Sequence, residues 1–404
     1  MTATINAHRL LAGSSKHGGY LGALKVSSKA ENALRDAREK VRQVLREKLP
    51  LQQKMLRQYD FVAEAFRASG RDLPLKPKFR MQGSAVYHTL NDPAHKPPQE
   101  IDYDDGVFLP TSFLADGLKP ALVARGYFKA VEDCLQALCN ANGWRLDRSR
   151  KSCIRILGVI PGGHLDIPLY AIPDDQYDAL VEARKRDGDI LMMDTLEFAE
   201  SVYEKIPDDH IMLAHREKGW LKSDPRKIEE WFKRCVQDYG DGLRHICRYL
   251  KGWRDFTWLG TGNDRGPSSL ALMACVVRVY EEFHGEPPRN REDLALLWVV
   301  ERLPELFAQR IPNPNPEIDE TLCDDWGDNR AAYIEAARQL EEHVRSALQG
   351  TLHKDLVIQH LRNGFGDRIP AVTDLLDIET AEEKVLEYTA AAAPRPHVDR
   401  TISG

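Results

Sequence analysis

Apolar residues recur every three or four positions from residue 27 to 49, where Leu34, Ala37, Val41, Leu45 and Leu49 are separated by many charges. This is the stripe of an amphipathic helix, and Ser28 followed by Glu31 reads as its capping box. Helical patterning continues over 52–69 and stops at Gly70, with Pro74 and Pro77 marking a loop. From about residue 79 to 170 the period shortens to two. Short β-like runs are expected at Asp102–Leu109, Cys153–Ile160 and His164–Tyr170, with a helix over about 117–141 between the first two. After about 205 the pattern predicts helix. Residues 227–256 carry Trp231, Phe232, Cys235, Leu243, Ile246, Leu250 and Trp253, and further helices are expected at 268–284 and 329–349. Pro312, Pro314 and Pro316 break the stretch between those two. The last residues lose apolar periodicity after a run of alanines and read as a frayed tail. No internal repeat is visible.

A chain of 404 residues is long for one domain and comfortable for two. With 42% hydrophobic and 29% charged residues the composition is that of an ordinary globular protein. A net charge of −6 argues against a surface devoted to nucleic acid, but it does not exclude a local basic cleft. The seven cysteines are odd in number, scattered, and contain no Cys-x-x-Cys, so a zinc ribbon or thioredoxin motif is unsupported and a reduced, cytoplasmic setting is expected. No run of about 18 apolar residues suggests a membrane span, and the N-terminal stretch lacks the apolar core of a signal peptide.

Three short stretches carry chemistry. In QEIDYDDGVFLP the period-two rule puts Ile101, Tyr103 and Val107 on one face and Asp102 and Asp104 on the other. Carboxylates are poor strand formers, and like charges on neighbouring positions repel, so a positive partner is expected. Side chains two positions apart on one strand face lie roughly 7 Å apart, and their oxygens can converge on divalent cations spaced as in a two-metal site. Hard oxygen ligands suit magnesium or manganese. In HLDIPLY, Leu165, Ile167 and Leu169 alternate with His164, Asp166 and Pro168. Asp166 is therefore a third carboxylate, able to complete a metal site or to take a proton from an attacking hydroxyl. In Gln82-Gly83-Ser84 the glycine lets backbone N–H groups approach a phosphate closely, while the serine caps a helix and donates to that phosphate. Taken singly, each has a plainer reading: an exposed Asp-Asp-Gly turn, a strand with one wet face, and a helix N-cap.

Together they stand in the order of the polymerase-β-like nucleotidyltransferases, although the 18 positions from Ser84 to Asp102 are wide for that superfamily at large. Within it, the chain resembles the bacterial cGAS/DncV-like nucleotidyltransferases, and most closely the branch that makes 3′,3′-cyclic GMP-AMP. The resemblance is carried by QGSAVYHTLN, QEIDYDDGVFLP and HLDIPLYAIP, continues through WLKSDPRKIEEWF, CRYLKGWRD and GPSSLALMA, and spans nearly the whole chain. It implies an α+β fold, with a polymerase-β-like core of mixed sheet and helices plus an α-helical C-terminal domain. The expected division is 1–204 for the core with its N-terminal spine helix, 205–388 for the helical domain, and 389–404 for a flexible tail.

The resemblance further implies that Asp102, Asp104 and Asp166 are catalytic and hold two Mg2+ ions, or Mn2+. Gln82, Gly83 and Ser84 would bind the donor triphosphate, Tyr87 would stack on a base, and Arg155 would meet a nucleotide. Lys251 and Ser269 would hold the donor triphosphate from the helical side, and Asp319 would read a base. Without the family, Tyr87 reads as helix core, Arg155 as an ion pair, Lys251 as a solvated position, and Ser269 as the cap of the helix at 270–283. ATP and GTP are the implied substrates in antiviral signalling, with a cyclic-nucleotide-activated effector downstream. Gly404 would be the point of attachment for a ubiquitin-like E1-E2 conjugating system. No membrane and no double-stranded DNA requirement are expected. One departure is Phe79-Arg80-Met81 before Gln82, where that branch has an aromatic next to its Thr-Gln-Gly-Ser; the site neighbours a pterin-binding surface, so folate inhibition does not carry over by default. The rival readings are an oligoadenylate synthase or RNA-tailing enzyme, a DNA-sensing cyclase, and a non-catalytic module that kept the fold. They are disfavoured by the acidic charge, by the lack of a Cys/His zinc cluster, and by the presence of all three aspartates, in that order.

Overall fold

The structure, a computed structural model, describes residues 3–56, 77–110, 120–172, 211–259, 265–283, 290–316 and 318–379. The helical stretch expected at 52–69 beyond residue 56 and the tail at 389–404, including Gly404, lie outside the described residues.

In chain order the strands are β1 (Thr4–Asn6), β2 (Lys78–Gln82), β3 (Ile101–Pro110), β4 (Arg145–Asp147), β5 (Cys153–Ile160), β6 (Gly163–Ile172), β7 (Met212–His215), β8 (Gly219–Lys222) and β9 (Asp377–Glu379). The helices are α1 (His8–Ala12), α2 (Gly19–Ala23), α3 (Ser28–Leu56), α4 (Gly83–Val86), α5 (Pro120–Asn142), α6 (Pro225–Tyr239), α7 (Gly242–Thr257), α8 (Ser269–Glu282), α9 (Glu292–Ala308), α10 (Asn329–Gln349) and α11 (Lys354–Phe365).

The main sheet runs β2-β3-β6-β5-β4, with β7 added to β6 and β8 to β7. Only the β3–β6 pair is parallel, so the sheet is mixed, as expected. Its alternating apolar residues (Ile101, Tyr103, Val107, Leu165, Ile167 and Leu169) form one core with Leu34, Val41 and Leu45 of α3 and Phe128, Val131 and Leu135 of α5. A second core gathers α6 through α11, with nine of the 16 residues of α7 buried. This leaves the polar sheet face, with its aspartates, turned away from α3 and α5.

Several expectations are corrected. The α3 cap is Ser27, whose Oγ accepts from the Ala30 amide; with alanine at that third position there is no side chain to bond back, so a plain serine cap replaces the predicted capping box. Residues 227–256 fall in two helices. Gly240, at φ +83°, stops α6 because a left-handed backbone is inexpensive only without a Cβ. The chain does not turn helical at 205: β7 and β8 first extend the sheet through pairing with β6, a long-range choice that their four-residue patterns do not announce. The missed helices include the short α1 and α2 and the longer α9 and α11. Pro304 sits inside α9, where burial of Leu303, Leu306 and Phe307 outweighs the local penalty. Residues 3–24 pack with the helical core through Leu10, Leu11, Tyr20 and Leu24, and β1 pairs with β9.

Candidate active site

Parallel pairing of β3 with β6 sets Asp102 opposite His164 and Asp104 opposite Asp166. Because side chains alternate, all four project from the same sheet face. Antiparallel β5 brings Arg155 opposite Asp166, and its guanidinium donates to both carboxylate oxygens at 2.7 and 2.6 Å. The Cys153 thiol donates to Asp166 Oδ2 at 3.4 Å. His164 Nε2 meets Asp102 Oδ1 at 2.7 Å, while its Nδ1 meets Glu100 Oε2 at 2.9 Å. The fourth acidic residue, Asp105, points to the other face. There it is buried and receives two hydrogen bonds from Arg42 of α3, at 2.7 and 2.5 Å. The acidic cluster therefore has two kinds of neutralisation, a built-in guanidinium on the core side and a cation-seeking group on the cleft side.

The β2–α4 turn closes against this group. Gly83 has φ +66°, and a Cβ there would run into the Asp104 carboxylate, so both backbone and space call for glycine. Across a cleft of about 630 Å³ stands α7 with Lys251 and the start of α8 with Ser269. Lys251 is buried and donates to the Thr89 carbonyl at 2.6 Å. Ser268, not Ser269, caps α8 by accepting from the Ala271 amide. That leaves the Ser269 hydroxyl on the cleft wall, where it accepts from Arg254 at 2.8 Å.

Of the expected site residues, Gly83, Ser84, Tyr87, Asp102, Asp104, Arg155, Lys251 and Ser269 all line this one cleft. Asp166 does not line the cleft: it is buried opposite Asp104, in the grip of Arg155. Tyr87 is half-buried and sets its ring edge-on to Phe232, 6.0 Å between centroids, so it packs on the helical core while lining the cleft. Gln82 is not brought in: its amide oxygen accepts from the Tyr170 hydroxyl at 3.0 Å, and it does not line the cleft. Asp319 is exposed in the loop between α9 and α10 and is likewise absent from the lining. His164, Glu100, Arg150, Arg254 and Arg265 line the cleft and were missed. For His164 the signal was present, since it shares Asp166's face two positions earlier.

The electrostatics follow from this crowding. Burial and then the charges of Asp102 and Asp166 push the Asp104 carboxyl well above its ordinary range. Desolvation by the cleft walls opposes ionisation of Asp102 too, although its side chain is half exposed, but the His164 bond and the Arg155 and Lys251 charges outweigh it and hold Asp102 low. Burial likewise disfavours charge on His164, yet its bond to Asp102 holds the imidazole above its usual value. Burial, aided by Arg254, brings Lys251 down to about 8. Asp102, His164 and Asp166 offer ligand atoms within 4.8 Å of one another, with Asp104 beside them. Three carboxylates, one of them raised by like charge, fit a divalent cation, while both nitrogens of the neighbouring imidazole are already bonded to carboxylates.

Residues 77–170 match the cyclic GMP-AMP synthase DncV-like nucleotidyltransferase domain, and residues 240–377 match the cyclic GMP-AMP synthase C-terminal domain. The cyclic GMP-AMP synthase of Vibrio cholerae is 27% identical over 345 residues, covering 82% of this chain and 77% of that protein. That of Escherichia coli strain TW11681 is 29% identical over 350 residues, covering 82% and 76%. The crystal structure of Vibrio cholerae DncV in complex with a linear intermediate superposes with a TM-score of 0.74 at 24% identity, over 94% of this chain and 100% of that one. Among the described residues no helix is long and apolar enough to cross a membrane. With both of its matched regions flanking one cleft, the chain belongs to the DncV-like nucleotidyltransferases.

Proposed function

We propose that the chain joins two purine ribonucleoside triphosphates, ATP and GTP, into 3′,3′-cyclic GMP-AMP, in two successive nucleotidyl transfers. The observation that carries this reading is the convergence of Asp102 and Asp104 opposite Lys251 and Ser269 across a single cleft, with Asp166 buried beside Asp104 on the same sheet face. Divalent cations held by the aspartates, Mg2+ or Mn2+, would neutralise charge on the attacking oxygen and on the departing pyrophosphate. Ser84 and the backbone of the Gly83 turn hold the donor phosphates from the sheet side. Lys251 and Ser269 hold them from the helical side, and the lowered Lys251 gains charge as it meets the triphosphate. Asp166 orients the acceptor's 3′-hydroxyl and accepts its proton, and Arg155 turns from Asp166 toward the nucleotide. Tyr87 stacks on a base, a contact of about 1–3 kcal/mol. Most of the acceleration comes from positioning and charge neutralisation. The family resemblance implies a cytoplasmic role in antiviral defence, with an effector that reads the product.

A second reading keeps the chemistry and changes the product to another cyclic di- or trinucleotide or a linear oligonucleotide. It is favoured by Asp319, which was expected to read a base and stands exposed outside the cleft lining. One experiment separates them. The purified protein is incubated with all four ribonucleoside triphosphates and Mg2+, treated with phosphatase, and its products are identified by mass spectrometry beside Asp102→Ala/Asp104→Ala. A phosphatase-resistant cyclic GMP-AMP, absent from the control, upholds the first reading. A different ring or a ladder of linear products upholds the second, and no product removes both.

A further inference from the structure

The three cleft aspartates are held in three different ways. Asp166 is locked by the two hydrogen bonds from Arg155 and a third from Cys153. Asp104 is confined sterically, wedged against the α-carbon of Gly83. Asp102 is the exception: its side chain keeps 53% of its surface exposed to the cleft, and Arg155 comes no nearer than 3.9 Å. What holds it is His164, at 2.7 Å. The imidazole is itself immobile. It is 5% exposed, is the second residue of β6, and is bonded at its far nitrogen to Glu100, 2.9 Å away. A ring tethered at both nitrogens has its plane and its tilt determined, and so has the oxygen it grips.

We infer that His164 is a positioning residue of this site: braced by Glu100 through Nδ1, it holds the Asp102 carboxylate through Nε2 in the orientation that faces the cleft. The alternative role, as a direct metal ligand, conflicts with the geometry. Both ring nitrogens are spent on carboxylate oxygens, so ligation would require the imidazole to give up one of them. Glu100 lines the cleft and is one-third exposed, so the brace lies at the mouth of the site rather than in the core. The arrangement uses only strand register. Glu100 precedes β3, Asp102 is its second residue, and His164 is its parallel neighbour.

This inference rests on the metal-dependent reading proposed above, and its test is chosen so that the two fail differently. Mn2+ binding is followed by electron paramagnetic resonance in the presence of α,β-methylene-ATP for the unaltered protein, His164→Ala, His164→Gln, Glu100→Gln and Asp102→Ala. Loss of a residue that orients a ligand weakens metal binding about 10–100-fold, and that is expected of His164→Ala. Gln keeps an N–H donor for Asp102, so His164→Gln should recover most of the affinity, and Glu100→Gln should lose only several-fold. In turnover assays the His164→Ala variant should need more Mg2+, regain kcat when Mg2+ is saturating, and keep its KM for nucleotide. Mn2+ binding by His164→Ala within twofold of the unaltered protein overturns the inference. So does a loss as complete as that of Asp102→Ala with no recovery in His164→Gln, which would make His164 a ligand. Failure of the unaltered protein itself to bind Mn2+ removes the metal-dependent reading and this inference with it.

Discussion

Replacing Asp105 by asparagine removes a carboxylate that is 2% exposed and receives two hydrogen bonds from Arg42, itself 13% exposed. Taking one partner from a buried ion pair costs about 3–5 kcal/mol, because the other charge stays behind. Here Arg42 has a fallback: Glu39, 3.7 Å away and half exposed. The expected loss is therefore about 2 kcal/mol, at the low end of charged hydrogen bonds. At roughly 2 cal/mol/K of unfolding entropy per residue, a chain of 404 residues has a slope near 0.8 kcal/mol per degree, so the melting midpoint should fall by about 2–3 °C. Nucleotidyl transfer well below the transition should be preserved, because Asp105 lies on the sheet face away from the cleft. The neighbouring substitution, Asp104→Asn, should do the reverse. It relieves the repulsion that raises Asp104, so the metal-free midpoint stays level or climbs by about 1 °C, while activity drops by about three orders of magnitude with the loss of a ligand. Differential scanning fluorimetry in EDTA and product formation with Mg2+ measure the two effects separately. If Asp105→Asn proves as inactive as Asp104→Asn, or if Asp104→Asn melts lower than Asp105→Asn, the assignment of the two carboxylates to opposite faces is wrong.

Lys251→Met should melt above the unaltered protein at pH 7, because it removes a charge held in a buried site. The folded group titrates near 8, below its usual range, so the folded state binds fewer protons than the unfolded one between about pH 8 and 10.5. Stability of the unaltered protein therefore rises over that window and the gap should close by about pH 10.5; a gap that widens instead reverses the sign of the argument. The same variant should raise KM for nucleoside triphosphate by about tenfold or more, at a cost of charge-assisted phosphate contacts. Gly83→Ala should cost about 1–2 kcal/mol for its left-handed backbone, and it should lower turnover by at least about a hundredfold by displacing Asp104; turnover equal to that of the unaltered protein would show that the turn does not constrain the aspartate. Removal of divalent cations with EDTA should abolish product formation and Mg2+ should restore it, as read by the same mass-spectrometric assay.

What was legible in the sequence was local. Period-two alternation put Asp102 and Asp104 on one face, put Ile101, Tyr103 and Val107 on the other, and gave Asp166 the face of His164. Alternation depends only on the strand's own geometry, so it needs no partner to be read. The helix stripes of α3 and α10 were legible for the same reason, whereas Pro304 hid α9 because its local penalty is visible and the burial that overrides it is not. Lys251 and Ser269 emerged through resemblance alone, since the spacing of a helix position or of a serine pair does not reveal a cleft 150 residues away. Tertiary structure decided the rest. It chose the β3–β6 register that sets His164 on Asp102, the Arg42 that neutralises Asp105, the α7 face that carries Lys251 to Thr89, and the outward turn of Gln82 to Tyr170. Each of these joins residues tens to more than a hundred positions apart, and which strand face meets which is settled by burying two apolar cores at once, a condition that no single stretch of the chain contains.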